Sequence, residues 1–163
     1  MDSVINRCPL FCDELHTSPD KSLAVDTLHT FNYGPVMWWT SSALWGLILA
    51  NPWQLSGSSK EHTLELACRR MRADMFEFFE RKGIPAARRL GDFTATMIGT
   101  PLNCQMGPTA LPHPGCGMKT KAAETMIVMD WAIDLLDRYT GIPLHAEMKV
   151  AGKALQHLMD SIR

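Results

Sequence analysis

The chain has 163 residues, of which 46% are hydrophobic and 20% are charged. These fractions are typical of a globular protein and exclude an intrinsically disordered one, and the length predicts a single domain over residues 1–163. The 16 basic and 17 acidic side chains give a formal net charge of −1. Bulk electrostatics would therefore recruit neither nucleic acid nor an anionic membrane, and we expect no nucleic-acid partner.

The N-terminal residues and the cysteines indicate the compartment. Residues 1–7 have neither the basic start nor the apolar core of a signal peptide. Five cysteines are an odd number, which fits a reducing compartment better than a disulfide framework. We therefore predict a cytoplasmic protein, in which residues 1–17 form a weakly organised arm.

The first two predicted helices follow this arm. Ser18 can cap a helix that has Pro19 at its first position and extends to about Thr30. The sequence Asn-Tyr-Gly at 32–34 would end this helix, and Pro35 would begin the next one. Pro52 disfavours helical backbone at the residue before it, so the second helix is predicted over residues 35–50.

This second helix lies in an uncharged stretch that runs from Thr27 to Ser59. A helix that is apolar on most of its circumference must be covered by its own domain, by a partner or by lipid. Its sixteen residues would span about 24 Å, whereas the apolar core of a bilayer is about 30 Å thick. The length therefore argues against a membrane span.

The tryptophans of this helix favour two other interpretations over a membrane span. Indole rings suit a boundary between apolar and wet phases, so the helix could lie on a membrane or on a storage inclusion. Alternatively it could be buried in the domain or in an oligomer interface, with Trp38 and Trp45 towards one neighbour. The predicted contact residues are Met37, Trp38, Leu44, Trp45, Ile48 and Trp53.

Amphipathic helices are predicted along the rest of the chain. Ser58 and Glu61 have the spacing of a capping box before a periodic helix near 60–82, which Gly83 would end. A shorter helix is predicted after Pro85, with a further turn or two within 92–98. Helices near 120–140 and 143–162 complete the chain. The last helix is expected to pack by one apolar stripe, formed by Leu144, Met148, Ala151, Leu155, Leu158 and Ile162.

No segment shows the alternation of a β-strand. The fold class is therefore predicted as all-α, a bundle-like domain of about five or six helices.

A long loop is predicted at 99–118, because four prolines and four glycines occur between Gly99 and Gly117. Loops of this length are uncommon in compact domains and are more often functional than idle. We interpret it as a secondary contact or a ligand-gating element.

Cysteine and histidine side chains provide the candidate metal ligands, since thiolate and imidazole groups bind zinc, and copper(I) prefers soft sulfur ligands. Three lie in the arm and three in the long loop. The competing interpretation is that these are ordinary buried or loop residues, and Cys68 belongs to the apolar stripe of a helix. The candidate ligands are Cys8, Cys12, His16, Cys104, His113 and Cys116.

Catalytic signatures are weak. Cys116 lies between two glycines with His113 nearby, so its thiol is a candidate for reaction. No hydrolase elbow, zinc-protease motif or phosphate-binding loop is present in the sequence. The sequence therefore favours a protein that is not an enzyme.

Three aspartates at 130, 134 and 137 share one face of a predicted helix. They could hold Mg²⁺ if substrate phosphates completed its shell, but an acidic edge paired with arginines is the favoured interpretation. His145 and His157 are both predicted at the surface.

The predicted function is that of a helical interaction protein that self-associates or binds a protein partner through helix 35–50. One alternative is a peripheral coat protein on a membrane or on a lipid or storage inclusion. Another is a metal-binding or small-molecule-binding protein with thiol chemistry at Cys116. No cofactor is predicted except zinc or copper in that last case.

Overall fold

A computed structural model describes residues 28–99, 118–141 and 143–161. This part of the chain is mostly helical and contains no strand, which confirms the predicted all-α class for these residues. It has four α-helices, fewer than the five or six predicted for the whole chain. The arm at 1–17, most of the helix predicted from Ser18, and residues 100–117 of the predicted loop lie outside the described residues. The helices are α1 (Met37–Ala50), α2 (Lys60–Arg81), α3 (Ala122–Arg138) and α4 (Pro143–Ser161).

Helix α1 continues from a π-helical segment, Leu28–Val36, that is kinked at Gly34. The sequence predicted a break between two helices at 32–34, and the backbone of Gly34 is indeed not helical, with φ of −104° and ψ of −113°. The hydroxyl of Thr40 donates to the carbonyl of Val36 at 2.7 Å, across the junction. At the other end, Asn51 takes a left-handed conformation with φ of 46°, and α1 ends before Pro52 as predicted.

Helix α2 begins at a capping residue that the sequence placed one position too early. The hydroxyl of Ser59, not of Ser58, accepts a hydrogen bond from the backbone N–H of His62 at 3.1 Å. The helix ends as predicted, because Gly83 has φ of +61°. The N–H of the next residue, Ile84, then donates to the carbonyl of Phe79 at 2.9 Å.

The short helices predicted after α2 are shorter than expected. The helix after Pro85 is one 3₁₀ turn, Ala86–Arg88, and the segment 92–98 contains one turn, in which the N–H of Met97 donates to the carbonyl of Thr94 at 3.0 Å. Two side-chain contacts hold this stretch. Arg89 Nε donates to the carbonyl of Ile84 at 2.6 Å, and the buried ring of Phe93 packs edge-on against Trp131 with centroids 5.3 Å apart.

Helix α3 is the centre of the domain and packs against the kinked segment, α1 and α4. Its buried residues lie on most of its circumference, from Ala122 to Leu136. The larger core cluster joins α3 to α1, to α2 and to residues 90–98. A smaller cluster joins α3 to Val36 and to Met159 of α4.

Helix α4 is rotated relative to the stripe that the sequence suggested. The buried positions are His145, Gly152 and Met159, whereas Ala151 and Leu158 of the predicted stripe are exposed. His145 was predicted at the surface, which is wrong: its Nδ1 lies 3.0 Å from the carbonyl oxygen of Tyr139. His157 is exposed as predicted.

Both ends of the predicted loop meet at one point of the bundle. The backbone N–H of Lys119 donates to the carbonyl of Met97 at 2.6 Å. The chain therefore leaves and rejoins the described structure at adjacent positions. None of the helices in the described ranges has the length and apolarity that crossing a membrane requires.

Candidate functional site

Trp38, Trp45 and Leu49 lie on one side of α1. Trp45 and Leu49 follow Trp38 by 7 and 11 residues, which are about two and three helical turns. The middle of this side is covered by the chain itself. The Trp45 Nε1–H lies 3.0 Å from the carbonyl oxygen of Ile98 and 3.1 Å from that of Gly99. The hydroxyl of Ser41 donates to the same Ile98 carbonyl at 2.6 Å.

The ends of this side are open. Trp38 is 47% exposed and Leu49 is 66% exposed. The sequence placed Trp38 and Trp45 against the same neighbour, but only Trp45 is covered, by residues 98–99.

Trp39 joins α1 to α4. Its Nε1–H donates to the carbonyl of Met148 at 3.0 Å, and its ring lies against Gly152. A Cβ atom at position 152 would lie 2.2 Å from Cζ2 of this ring. The contact therefore depends on glycine, because any side chain there would overlap the indole.

The other predicted contact residues are mostly covered within the chain. Leu44 and Trp45 are buried in the core of this chain. Met37, Ile48 and Trp53 are half-buried and pack against the core. Trp53 also donates from Nε1 to the hydroxyl of Tyr139 at 2.6 Å.

The exposed side of α4 is unusual in its composition. A solvent-facing side of a helix normally carries charged residues, but here Glu147 is the charged residue within a mostly apolar surface, and exposed Lys153 and Asp160 lie at its edge. Val150 is 69% exposed and Leu158 is 45% exposed. We call this surface the outer side of α4; its residues are Ala146, Glu147, Val150, Ala151, Ala154, His157, Leu158 and Ser161, all exposed.

The three aspartates of the acidic face of α3 contact positive and polar groups, and the predicted pairing with arginines is found for Asp134. Asp134 contacts Arg81 at 2.8 Å and Arg138 at 3.1 Å. Asp130 accepts from Gln156 of α4 at 2.7 Å. These carboxylates therefore tie α3 to α2 and α4.

Asp137 completes this face by contacting two lysines of α4. Lys149 lies at 2.6 Å and Lys153 at 3.5 Å from its carboxylate oxygens. The hydrogen bond from Lys149 is the main cause that lowers the pKa of Asp137, and the positive charges of both lysines add to it. The carboxylate is thus held ionised by the helix that packs beside it.

The candidate metal ligands at positions 8, 12, 16, 104, 113 and 116, and with them the catalytic candidates Cys116 and His113, lie outside the described residues. Within the described ranges, no three His, Cys, Asp or Glu side chains form a group that could hold a metal ion. Cys68 is buried in α2, as predicted. Its burial, with a smaller effect from Glu65, raises the pKa of its thiol to about 11.

Comparison with protein-family models, with curated proteins and with solved structures finds no match to this chain.

The outer side of α4 is not among the surfaces predicted above, although its residues are spaced regularly in the sequence. Ala146, Val150, Ala154 and Leu158 recur at intervals of four residues, which places them along one side of a helix. Helix α4 therefore has apolar residues on two sides, and only one of these stripes was predicted as a contact surface, the one assigned to the core.

Proposed function

We propose that this protein is a non-enzymatic helical interaction protein that self-associates through the outer side of α4. The observation that supports the proposal is the near absence of charge on that side, with Val150 and Leu158 exposed to solvent. The proposed function class is the same as that expected from the sequence, but the proposed contact surface is on α4 and not on helix 35–50. Helix α1 is mostly covered by its own domain, and Trp38 is the exposed member of the predicted contact set.

A second copy of the chain is the partner that fits this surface. If two α4 helices cross antiparallel with their two-fold axis level with residue 152, which itself faces the domain, Val150 of one copy lies opposite Ala154 of the other. Leu158 then lies opposite Ala146, so a large side chain meets a small one in each pair.

The expected affinity is modest. Burying one Val or Leu side chain contributes about 1.5–3 kcal/mol, and the symmetric contact would bury two of each. One helix pair covers less than the roughly 1,200–2,000 Å² of a standard stable interface, so we expect a dimer in rapid exchange with the monomer.

Two variants in which an exposed alanine is replaced by glutamate test the proposal. Ala154→Glu adds a charge at the centre of the outer side of α4, and Ala73→Glu adds the same charge at an exposed position of α2. Sedimentation velocity across a wide concentration range should show a dimer for the wild type and for Ala73→Glu, and a monomer for Ala154→Glu. A wild type that stays monomeric at every concentration would reject self-association.

Association with a lipid surface is a second candidate, favoured by the exposed Trp38 and Leu49 on the uncharged helix α1. Flotation with neutral phosphatidylcholine vesicles would test it. Wild-type protein should float and a Trp38→Gln variant should not, whereas Ala154→Glu should behave like the wild type.

Metal analysis of protein purified without chelators would test the predicted zinc or copper site.

A further inference from the structure

A cleft lies between α2 and the irregular residues 92–96, on the side of α2 that carries Leu64 and Cys68. It encloses about 420 Å³, which falls within the roughly 300–1,000 Å³ of small-molecule sites. The proposed dimer surface does not use it, because none of its lining residues belongs to α4.

The floor of the cleft is apolar. Leu64 and Ala95 are half-buried, and Cys68 and the ring of Phe93 are buried beneath them. The Cys68 thiol stays protonated at neutral pH, because burial raises its pKa to about 11. It therefore presents a weakly polar sulfur to the cleft and not a nucleophilic thiolate.

The charges at the rim are largely neutralised within the rim itself. Arg69 contacts Glu65 at 2.6 Å, and Arg72 contacts Asp92 across the cleft at 3.2 Å. The Arg72 guanidinium also lies over the ring of Phe76, 5.6 Å from its centroid. An anionic ligand would have to displace one of these carboxylates, and Glu61 adds a further negative charge to the rim.

One polar group faces the cleft without charge. The hydroxyl oxygens of Thr94 and Thr96 lie 2.9 Å apart, so one donates to the other. The accepting hydroxyl keeps its own hydrogen, and both oxygens keep acceptor capacity. A ligand with a single hydroxyl, carbonyl or N–H group could therefore bond to this pair.

We propose that this cleft is a binding site for an uncharged small organic molecule with an aromatic or aliphatic body and one hydrogen-bonding group. The body packs on Leu64, Cys68, Phe93 and Ala95, and the polar group meets the hydroxyl pair at Thr94 and Thr96. The self-paired charges of the rim select against carboxylates, phosphates and sulfonates.

Two fluorescent probes that differ in one group test the selectivity. N-phenyl-1-naphthylamine is uncharged, and 8-anilinonaphthalene-1-sulfonate is the same molecule with a sulfonate added. Titration should show saturable binding of the uncharged probe with one site per chain, and binding weaker by at least about tenfold for the sulfonate. Equal binding of both probes, or no saturable binding of the uncharged one, would overturn the proposal.

Location is tested by filling the cleft. Ala95→Trp places an indole over the apolar floor and should weaken binding of the uncharged probe by about tenfold or more. Ala87→Trp, at an exposed position of the 3₁₀ turn, is the matched control and should bind like the wild type. Unchanged binding in a folded Ala95→Trp variant would place the probe elsewhere and reject the site.

Discussion

Trp39 and Gly152 form a joint between α1 and α4 in which the indole occupies the space of a side chain. The ring atom Cζ2 lies 2.2 Å from where a Cβ atom of residue 152 would be, and Cη2 lies at 2.5 Å. The ring is also held in place by the hydrogen bond from its Nε1 to Met148. The relative position of the two helices is therefore set by one ring and one missing side chain.

Gly152→Ala should destabilise the protein, although alanine normally stabilises a helix interior relative to glycine by about 1 kcal/mol. The added methyl group must displace the Trp39 ring, and overpacking of this kind typically costs about 1–3 kcal/mol. Gly46→Ala in α1 is the control, because a Cβ there meets nothing within 4 Å. Urea unfolding should show a loss for the first variant and a gain for the second. Equal effects of the two would contradict the joint.

The hydrogen bonds that hold residues 98–99 on α1 give a second prediction. Replacing Ser41 by Ala and Trp45 by Phe together removes both donors to the Ile98 carbonyl and leaves it buried without them. We expect a loss of about 1–3 kcal/mol in the free energy of unfolding for the unsatisfied carbonyl alone, and the smaller phenyl ring at position 45 adds to that loss. Trp38→Phe is the control and should change stability by less than about 0.5 kcal/mol.

Asp137 gives a prediction on acid stability. Its pKa is lowered in the folded state, so its contribution is present above the ordinary carboxyl pKa and is lost as the pH falls through the folded-state value. Asp137→Asn should cost no more than about 1 kcal/mol at neutral pH, because the group is partly exposed. The difference from wild type should disappear in strong acid. Glu77→Gln, at an exposed position of α2, should show little difference at either pH.

Cys68 gives the opposite dependence at alkaline pH. Burial raises the pKa of the Cys68 thiol from 9.0 to about 11 in the folded state. The buried thiol therefore favours folding below pH 9.0, and this contribution declines as the pH rises from 9.0 towards about 11. The stability difference between wild type and Cys68→Ala should therefore shrink across that interval. Because lysines and tyrosines titrate equally in both proteins, the comparison isolates Cys68. A constant difference would mean that the thiol is not buried as described.

Strongly periodic helices and their glycine and proline boundaries could be predicted from the sequence. Helix α2 ends at the left-handed Gly83, and α4 begins at Pro143, as the local rules require. Local signals failed where distant contacts decide. The short helices predicted within 85–98 are reduced to one 3₁₀ turn and one hydrogen-bonded turn, and between them Phe93 packs against Trp131, which lies 38 positions further along the chain.

The candidate surfaces show the same division. Trp38 and Trp45 share one side of α1, and no local property of the sequence tells which of them is covered. The cover comes from residues 98–99, more than fifty positions away. Helix α4 has two apolar stripes. Its inward side is the one where Trp39 packs on Gly152, and the periodicity of the sequence does not predict this contact.

The hydrogen bond between Met97 and Lys119 has a consequence for how this protein could vary. Since the two ends of the intervening stretch are already held together at the bundle, the helices do not rely on its length to reach their positions. Doubling the number of residues between these anchors would add only about 0.6 kcal/mol of closure entropy. Homologous chains could therefore accept insertions, deletions or a whole inserted domain at this point while the four helices stay as they are.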